Sequence, residues 1–120
     1  MPRAPQKLKV LYVEDNDCTW SMVNYVSGTI PGVVLTRARG SMDAGALLGI
    51  KKFHAVIVDF TLVLETAEKL LAQLSETKLP YVVYTADPDK VPKDIGCPVY
   101  AKNGDYHQVP RMLEYLKQNR

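Results

Sequence analysis

Leu8-Lys9-Val10-Leu11-Tyr12-Val13-Glu14-Asp15 and, further on, Ala55-Val56-Ile57-Val58-Asp59 share one design, a short apolar run that ends in carboxylate. Nearly continuous runs of β-branched and aromatic residues are what strands of a parallel sheet, buried on both faces, require. Val33-Val34-Leu35-Thr36, Tyr81-Val82-Val83-Tyr84 and Val99-Tyr100-Ala101 add three more short strands. Between them the apolar spacing changes to that of helices. Cys18, Met22 and Val26 recur every four residues with Tyr25 beside them, and Ala67, Leu70, Leu71 and Leu74 follow the i, i+3, i+4, i+7 rule. Val109, Met112, Leu113 and Leu116 follow it again, with Pro110 in the first turn, where its missing N–H costs nothing. Residues 41–51 repeat the pattern more loosely: Ser41 is placed as a cap and Leu47, Leu48 and Ile50 as apolar positions, against Gly45 and Gly49. Strands alternating with helices mean an α/β fold, an open parallel sheet covered on both faces.

The rest of the composition narrows the class. A chain of 120 residues is one domain, 1–120, with residues 1–7 as a loose, proline-bearing lead-in. Hydrophobic residues at 47% and charged residues at 23% exclude a disordered chain. A net charge of +2 supplies no field for nucleic acid, so no nucleic-acid partner is expected. No apolar run approaches the ~18–20 residues of a membrane span, and the opening lacks a signal peptide's apolar stretch. The expected location is therefore cytoplasmic, away from membranes. Cys18 and Cys97 are expected to be packing thiols, free in a reducing compartment. His54 and His107 lack partners at ligand spacing and read as solvated or capping. Trp20 is placed as packing on the first helix, and Lys51, Lys52, Arg37 and Arg39 as solvated charge.

The chemistry gathers at one edge. In open α/β sheets ligands bind beyond the carboxyl ends of the strands. There the first strand delivers Glu14 and Asp15, the third Asp59, the fourth Thr85 and the fifth Lys102. Three carboxylates brought together repel unless a cation compensates. Oxygen-only ligands that leave room for water suit Mg²⁺. A metal, an ammonium and a hydroxyl around one carboxylate describe a place for a phosphoryl group carried by that carboxylate.

In these residues the sequence resembles the receiver domain of a two-component response regulator. The motifs are Val10-Leu11-Tyr12-Val13-Glu14-Asp15-Asn16, Ala55-Val56-Ile57-Val58-Asp59, Val82-Val83-Tyr84-Thr85-Ala86 and Val99-Tyr100-Ala101-Lys102, over about residues 8–118. The resemblance implies a doubly wound, flavodoxin-like, five-stranded parallel sheet of order 2-1-3-4-5. It implies that Asp59 accepts phosphate from a sensor histidine kinase or histidine phosphotransfer protein and then switches contacts with a downstream protein. By the same resemblance Glu14, Asp15, Asp59 and the backbone carbonyl of Thr61 hold Mg²⁺, Thr85 and Lys102 bind phosphoryl oxygens, and Tyr100 is the switch aromatic. The resemblance also implies that Thr61 and Asp87 flank the path of attacking water. Such a protein is an enzyme only toward its own aspartate, in phosphorylation and autodephosphorylation.

Departures from the family are specific. Asn103 stands where proline usually follows the lysine, and Leu62-Val63-Leu64 replaces the usual loop after the acceptor. The stretch from Thr85 to Lys102 is several residues short and holds Pro88, Pro92 and Gly96. A mid-helix proline costs ~3 kcal/mol, so the fourth helix is expected to be missing or reduced to one turn. Without that helix, the family's usual dimer through the face it shares with the fifth strand and fifth helix is not expected. Two rival readings stand beside the receiver. One is a pseudo-receiver that works as an interaction module without phosphorylation. The other is a small hydrolase resembling haloacid-dehalogenase-like phosphatases, which want a second acid where Thr61 stands.

Overall fold

The structure, a computed structural model, describes residues 7–62, 65–102 and 106–120. In chain order it runs β1 (Leu8–Val13), α1 (Asp17–Gly28), β2 (Val33–Ala38), α2 (Ser41–Ile50) and β3 (Ala55–Val58). Two short strands follow, β4 (Thr61–Leu62) and β5 (Glu65–Thr66), then α3 (Glu68–Ser75) and β6 (Tyr81–Thr85). A 3-10 turn at Pro88–Lys90, β7 (Val99–Ala101) and α4 (Gln108–Gln118) complete it. Five strands form one sheet in the order β2-β1-β3-β6-β7, and every pairing in it is parallel. Counted along the chain, this is the expected order 2-1-3-4-5. The antiparallel pair β4–β5 is an addition that the apolar pattern did not announce.

Alternation along the strands divides the core into two layers. Leu11, Val13, Val56, Val58 and Val83 face Ala44 of α2 and Leu70, Leu71 and Leu74 of α3. Val10, Tyr12, Ile57, Val82 and Tyr84 face Val23 of α1 and Val109, Met112, Leu113 and Leu116 of α4. The apolar stripes expected on α3 and α4 are thus the buried ones.

Two helices differ from their expected faces. On α1 the buried positions are Val23 and Ser27, while Cys18 and Met22 are exposed and Tyr25 is 72% exposed. Four-residue spacing fixes a stripe but not which stripe meets the sheet; Val23, with Trp20 and Val26 beside it, wins that contact. Cys18 is therefore not a packing residue. Asn16, not a hydrophobic cue, starts the helix: its side chain accepts the Thr19 N–H at 2.9 Å. On α2 the cap is Gly40 rather than Ser41, Ala44 is the buried contact, and Ile50 is 78% exposed.

The fourth crossover has no α-helix. Its regular part is the single turn Pro88–Lys90, and Gly96 carries the chain into β7 at φ +79°, a backbone that side chains with a Cβ rarely adopt. Val91 and Ile95 cover the adjoining part of the core. The expectations for Leu62-Val63-Leu64 and for the Lys102–Asn103 bond lie outside the described residues. No helix among the described residues is long and apolar enough to cross a membrane.

Candidate functional site

The expected site residues stand at the carboxyl ends of the strands, most of them one or two steps past the last ladder pair. The Glu14 N–H donates to the Ala38 carbonyl (2.9 Å) and the Asp59 N–H to the Val13 carbonyl (3.0 Å). The Lys102 N–H donates to the Thr85 carbonyl (2.8 Å). Backbone pairing, rather than loop geometry, therefore holds the bases of Glu14, Asp59 and Lys102.

Their side chains converge. Oxygens of Glu14, Asp15 and Asp59 lie within 4.8 Å of one another, with Glu14 and Asp59 buried and Asp15 half-buried. The Lys102 ammonium is 2.6 Å from Glu14 Oε1 and 3.3 Å from Asp59 Oδ2. Thr85 is buried, and its Oγ1 accepts the Asp87 N–H (3.1 Å), which leaves its own O–H to donate. An open cleft of about 460 Å³ joins Glu14, Asp15, Asp59, Ala86, Asp87 and Lys102. Thr61 opens β4, two residues past Asp59. Tyr100 is half-buried on the α4 side of the sheet.

The electrostatics follow from burial. Desolvation pushes the Glu14 carboxyl up, but hydrogen bonds with Asp59, Lys102 and Tyr12 outweigh it and hold that carboxyl below the usual glutamate value. The hydrogen bond between the Glu14 and Asp59 carboxyls needs a proton on one of them, and two carboxylates still face one ammonium. A donor set made only of oxygens, open to water, suits a hard divalent cation.

Two contributors went unnoticed in the sequence. The Tyr12 hydroxyl donates to Glu14 Oε1 at 2.6 Å, and burial, then Glu14 itself, raises its pKa so that it stays protonated. Arg37 is not solvated charge: its side chain is 14% exposed and pairs with Asp17 at 2.8 Å. Its Nε donates to the Glu14 carbonyl at 3.0 Å, and its guanidinium lies 5.7 Å from the centre of the Trp20 ring. Arg39, paired with Asp17 at 3.1 Å, is exposed as expected. An arginine inside an otherwise apolar strand was the signal for Arg37; Tyr12 looked like any other strand aromatic.

Comparison with known structures decides the fold. The chain superposes on a CheY-like response regulator receiver domain from Methylobacillus flagellatus with a TM-score of 0.78, covering 96% of this chain and 100% of that one at 16% identity. The fold is that of a response regulator receiver domain. A signal receiver domain of an HD domain-containing protein from Pseudomonas fluorescens gives a TM-score of 0.80 at 18% identity, over 94% of this chain and 96% of that one. The receiver domain of a sensor histidine kinase from Pseudomonas aeruginosa, with a magnesium ion coordinated in its active-site cleft, gives 0.77 at 17% identity, over 92% and 97%. No protein-family model and no curated protein matches the sequence.

Proposed function

We propose that this receiver fold, acting as a single domain, takes a phosphoryl group on Asp59 in a Mg²⁺-dependent reaction and uses it to switch protein contacts. The observation that carries this reading is the convergence of Glu14, Asp15 and Asp59 within 4.8 Å beneath a lysine 3.3 Å from Asp59. An ion pair alone would need neither three acids nor an open cleft. Bound there by Glu14, Asp15, Asp59 and the Thr61 carbonyl, Mg²⁺ would neutralise charge on the phosphoryl oxygens.

The chain's own residues do the rest. A carboxylate oxygen of Asp59 forms a bond to phosphorus as the phosphorus–nitrogen bond of the donor phosphohistidine breaks. The imidazole nitrogen keeps the bonding pair and takes a proton. Lys102 offers a positive charge, Thr85 an O–H, and Ala86 the space beside them. Tyr100 then responds from the α4 face. The donor is a sensor histidine kinase or a phosphotransfer protein in a cytoplasmic setting; the receiver of a histidine kinase among the similar structures supports that pairing.

The shorter distance from Lys102 to Glu14 than to Asp59 favours a second reading, a phosphorylation-independent interaction module in which the lysine is structural. Incubation with Mg²⁺ and acetyl phosphate separates the two. The acceptor reading requires a mass gain of one phosphoryl group that is absent in Asp59→Asn and without Mg²⁺. An unmodified wild-type protein supports the interaction module.

A further inference from the structure

We propose that Tyr12 is a positioning residue for Glu14: its hydroxyl fixes the carboxylate that this chain uses where an aspartate would need no such support. The inference rests on the metal-binding reading of the acidic cluster. Glutamate carries one more rotatable bond than aspartate, so an unsupported carboxylate samples several orientations across the cleft. Here Glu14 Oε1 receives two donors from two directions, the Tyr12 hydroxyl and the Lys102 ammonium, each at 2.6 Å. The backbone of the same residue is held by Arg37 Nε on its carbonyl.

Tyr12 is itself immobile. It is fully buried in β1, its ring lies 6.0 Å from that of Trp20 at 39°, and its neighbours belong to the core between the sheet, α1 and α4. Phenylalanine would fill the same space, so packing does not explain the hydroxyl. A buried phenol needs a polar partner, and Glu14 is the partner it has. The Lys102 ammonium, by contrast, is shared, since it also lies 3.3 Å from Asp59 Oδ2. When the ammonium turns toward a phosphoryl group, Tyr12 remains the short donor to Glu14, beside the long 3.4 Å contact from the Asn16 N–H to Oε2.

The test is a titration with Mg²⁺ alone, followed on the amide resonances of Glu14, Asp15 and Asp59 in wild type, Tyr12→Phe, Glu14→Asp and the double variant. Loss of an outer partner of a metal ligand weakens binding about tenfold, and that is the expected effect of Tyr12→Phe. In the Glu14→Asp background, whose shorter side chain lies beyond the phenol, adding Tyr12→Phe should change affinity less than twofold. Equal affinity of wild type and Tyr12→Phe, or the same loss in both backgrounds, overturns the inference and leaves the acceptor reading intact. A wild-type protein that shows no response to Mg²⁺ defeats the acceptor reading and this inference together. Should Tyr12→Phe not fold, the Tyr12 hydroxyl proton of the wild type decides: slow exchange with solvent both without and with Mg²⁺ is expected, and a hydroxyl that exchanges freely once Mg²⁺ is bound overturns the inference.

Discussion

The ammonium of Lys102 lies 2.6 Å from Glu14 Oε1, a largely buried ion pair between the ends of β1 and β7. Removing one partner of such a pair strands the other charge, at a cost of about 3–5 kcal/mol. Lys102→Met is therefore expected to be destabilised by roughly 3 kcal/mol without metal. A cation at the acidic cluster replaces the missing charge, so Mg²⁺ should raise the Tm of Lys102→Met more than that of wild type. Parallel thermal scans with and without Mg²⁺ check both statements. An identical Mg²⁺ increment in the two proteins would refute the compensation.

The lifetime of a phosphoryl group on Asp59 depends on how water approaches it. Asp87 lines the cleft, half-exposed, with Lys90 3.8 Å away. Asp87→Ala and Thr61→Ala should alter the decay rate several-fold while incorporation persists, since neither is a required phosphoryl ligand. Loss of radiolabel from the purified phosphoprotein measures it. Decay unchanged in both variants rules the idea out.

The two cysteines should separate in reactivity. Burial pushes the Cys97 thiol up to about 11, partly offset by a hydrogen bond with the Val83 backbone, whereas Cys18 is exposed. Alkylation needs the thiolate, so iodoacetamide at pH 8 should modify Cys18 first. Cys97 should follow only near pH 11 or on unfolding. Peptide mass mapping over time reads this order, and equal rates at the two sites contradict it.

His54 gives the fold a pH dependence of known sign. Its Nδ1 accepts the Lys9 N–H at 2.9 Å, which only the imidazole with that nitrogen bare can do. Burial first, then the charges of Arg120 and Lys9, lower its pKa below 6.5. The unfolded chain thus takes up the proton first as the pH falls. The contribution of His54 is complete above about pH 6.5 and is lost as the pH drops through the lower folded value. In His54→Asn, whose Oδ1 accepts the same N–H without titrating, the fall in Tm between pH 7.5 and 5.5 should be smaller.

The strands and their carboxylate endings were legible because a parallel sheet buried on both faces leaves little choice of residue. Leu8–Val13, Ala55–Val58 and Val99–Ala101 coincide with the observed bounds. The reduced fourth crossover was legible too, since Pro88, Pro92 and Gly96 each oppose a helix for a stated reason. The face of α1 was not, because Cys18, Met22, Val23 and Val26 offer competing stripes and only the sheet chooses among them. Arg37 escaped because its role depends on the register that sets β2 beside β1, and register is a property of paired strands; Tyr12 escaped because its hydroxyl, on the same face as Glu14 two residues on, does not show in an apolar run. The β4–β5 pair consists of two residues on each side, too few to leave a period.

The single turn at Pro88–Lys90 has a kinetic consequence. β7 pairs on one side only, is three residues long, and leaves Val99 36% exposed, with a loop in place of a helix over its approach. Opening such an edge exposes little apolar surface, so it needs far less free energy than opening β1 or β3. Amide hydrogens of Val99–Ala101 should therefore exchange with solvent orders of magnitude faster than those of Val10–Val13. Lys102 follows directly on that strand, and its ammonium ties the edge to Glu14 at the sheet's centre. Whatever strengthens or loosens that tie would set how long the edge stays closed.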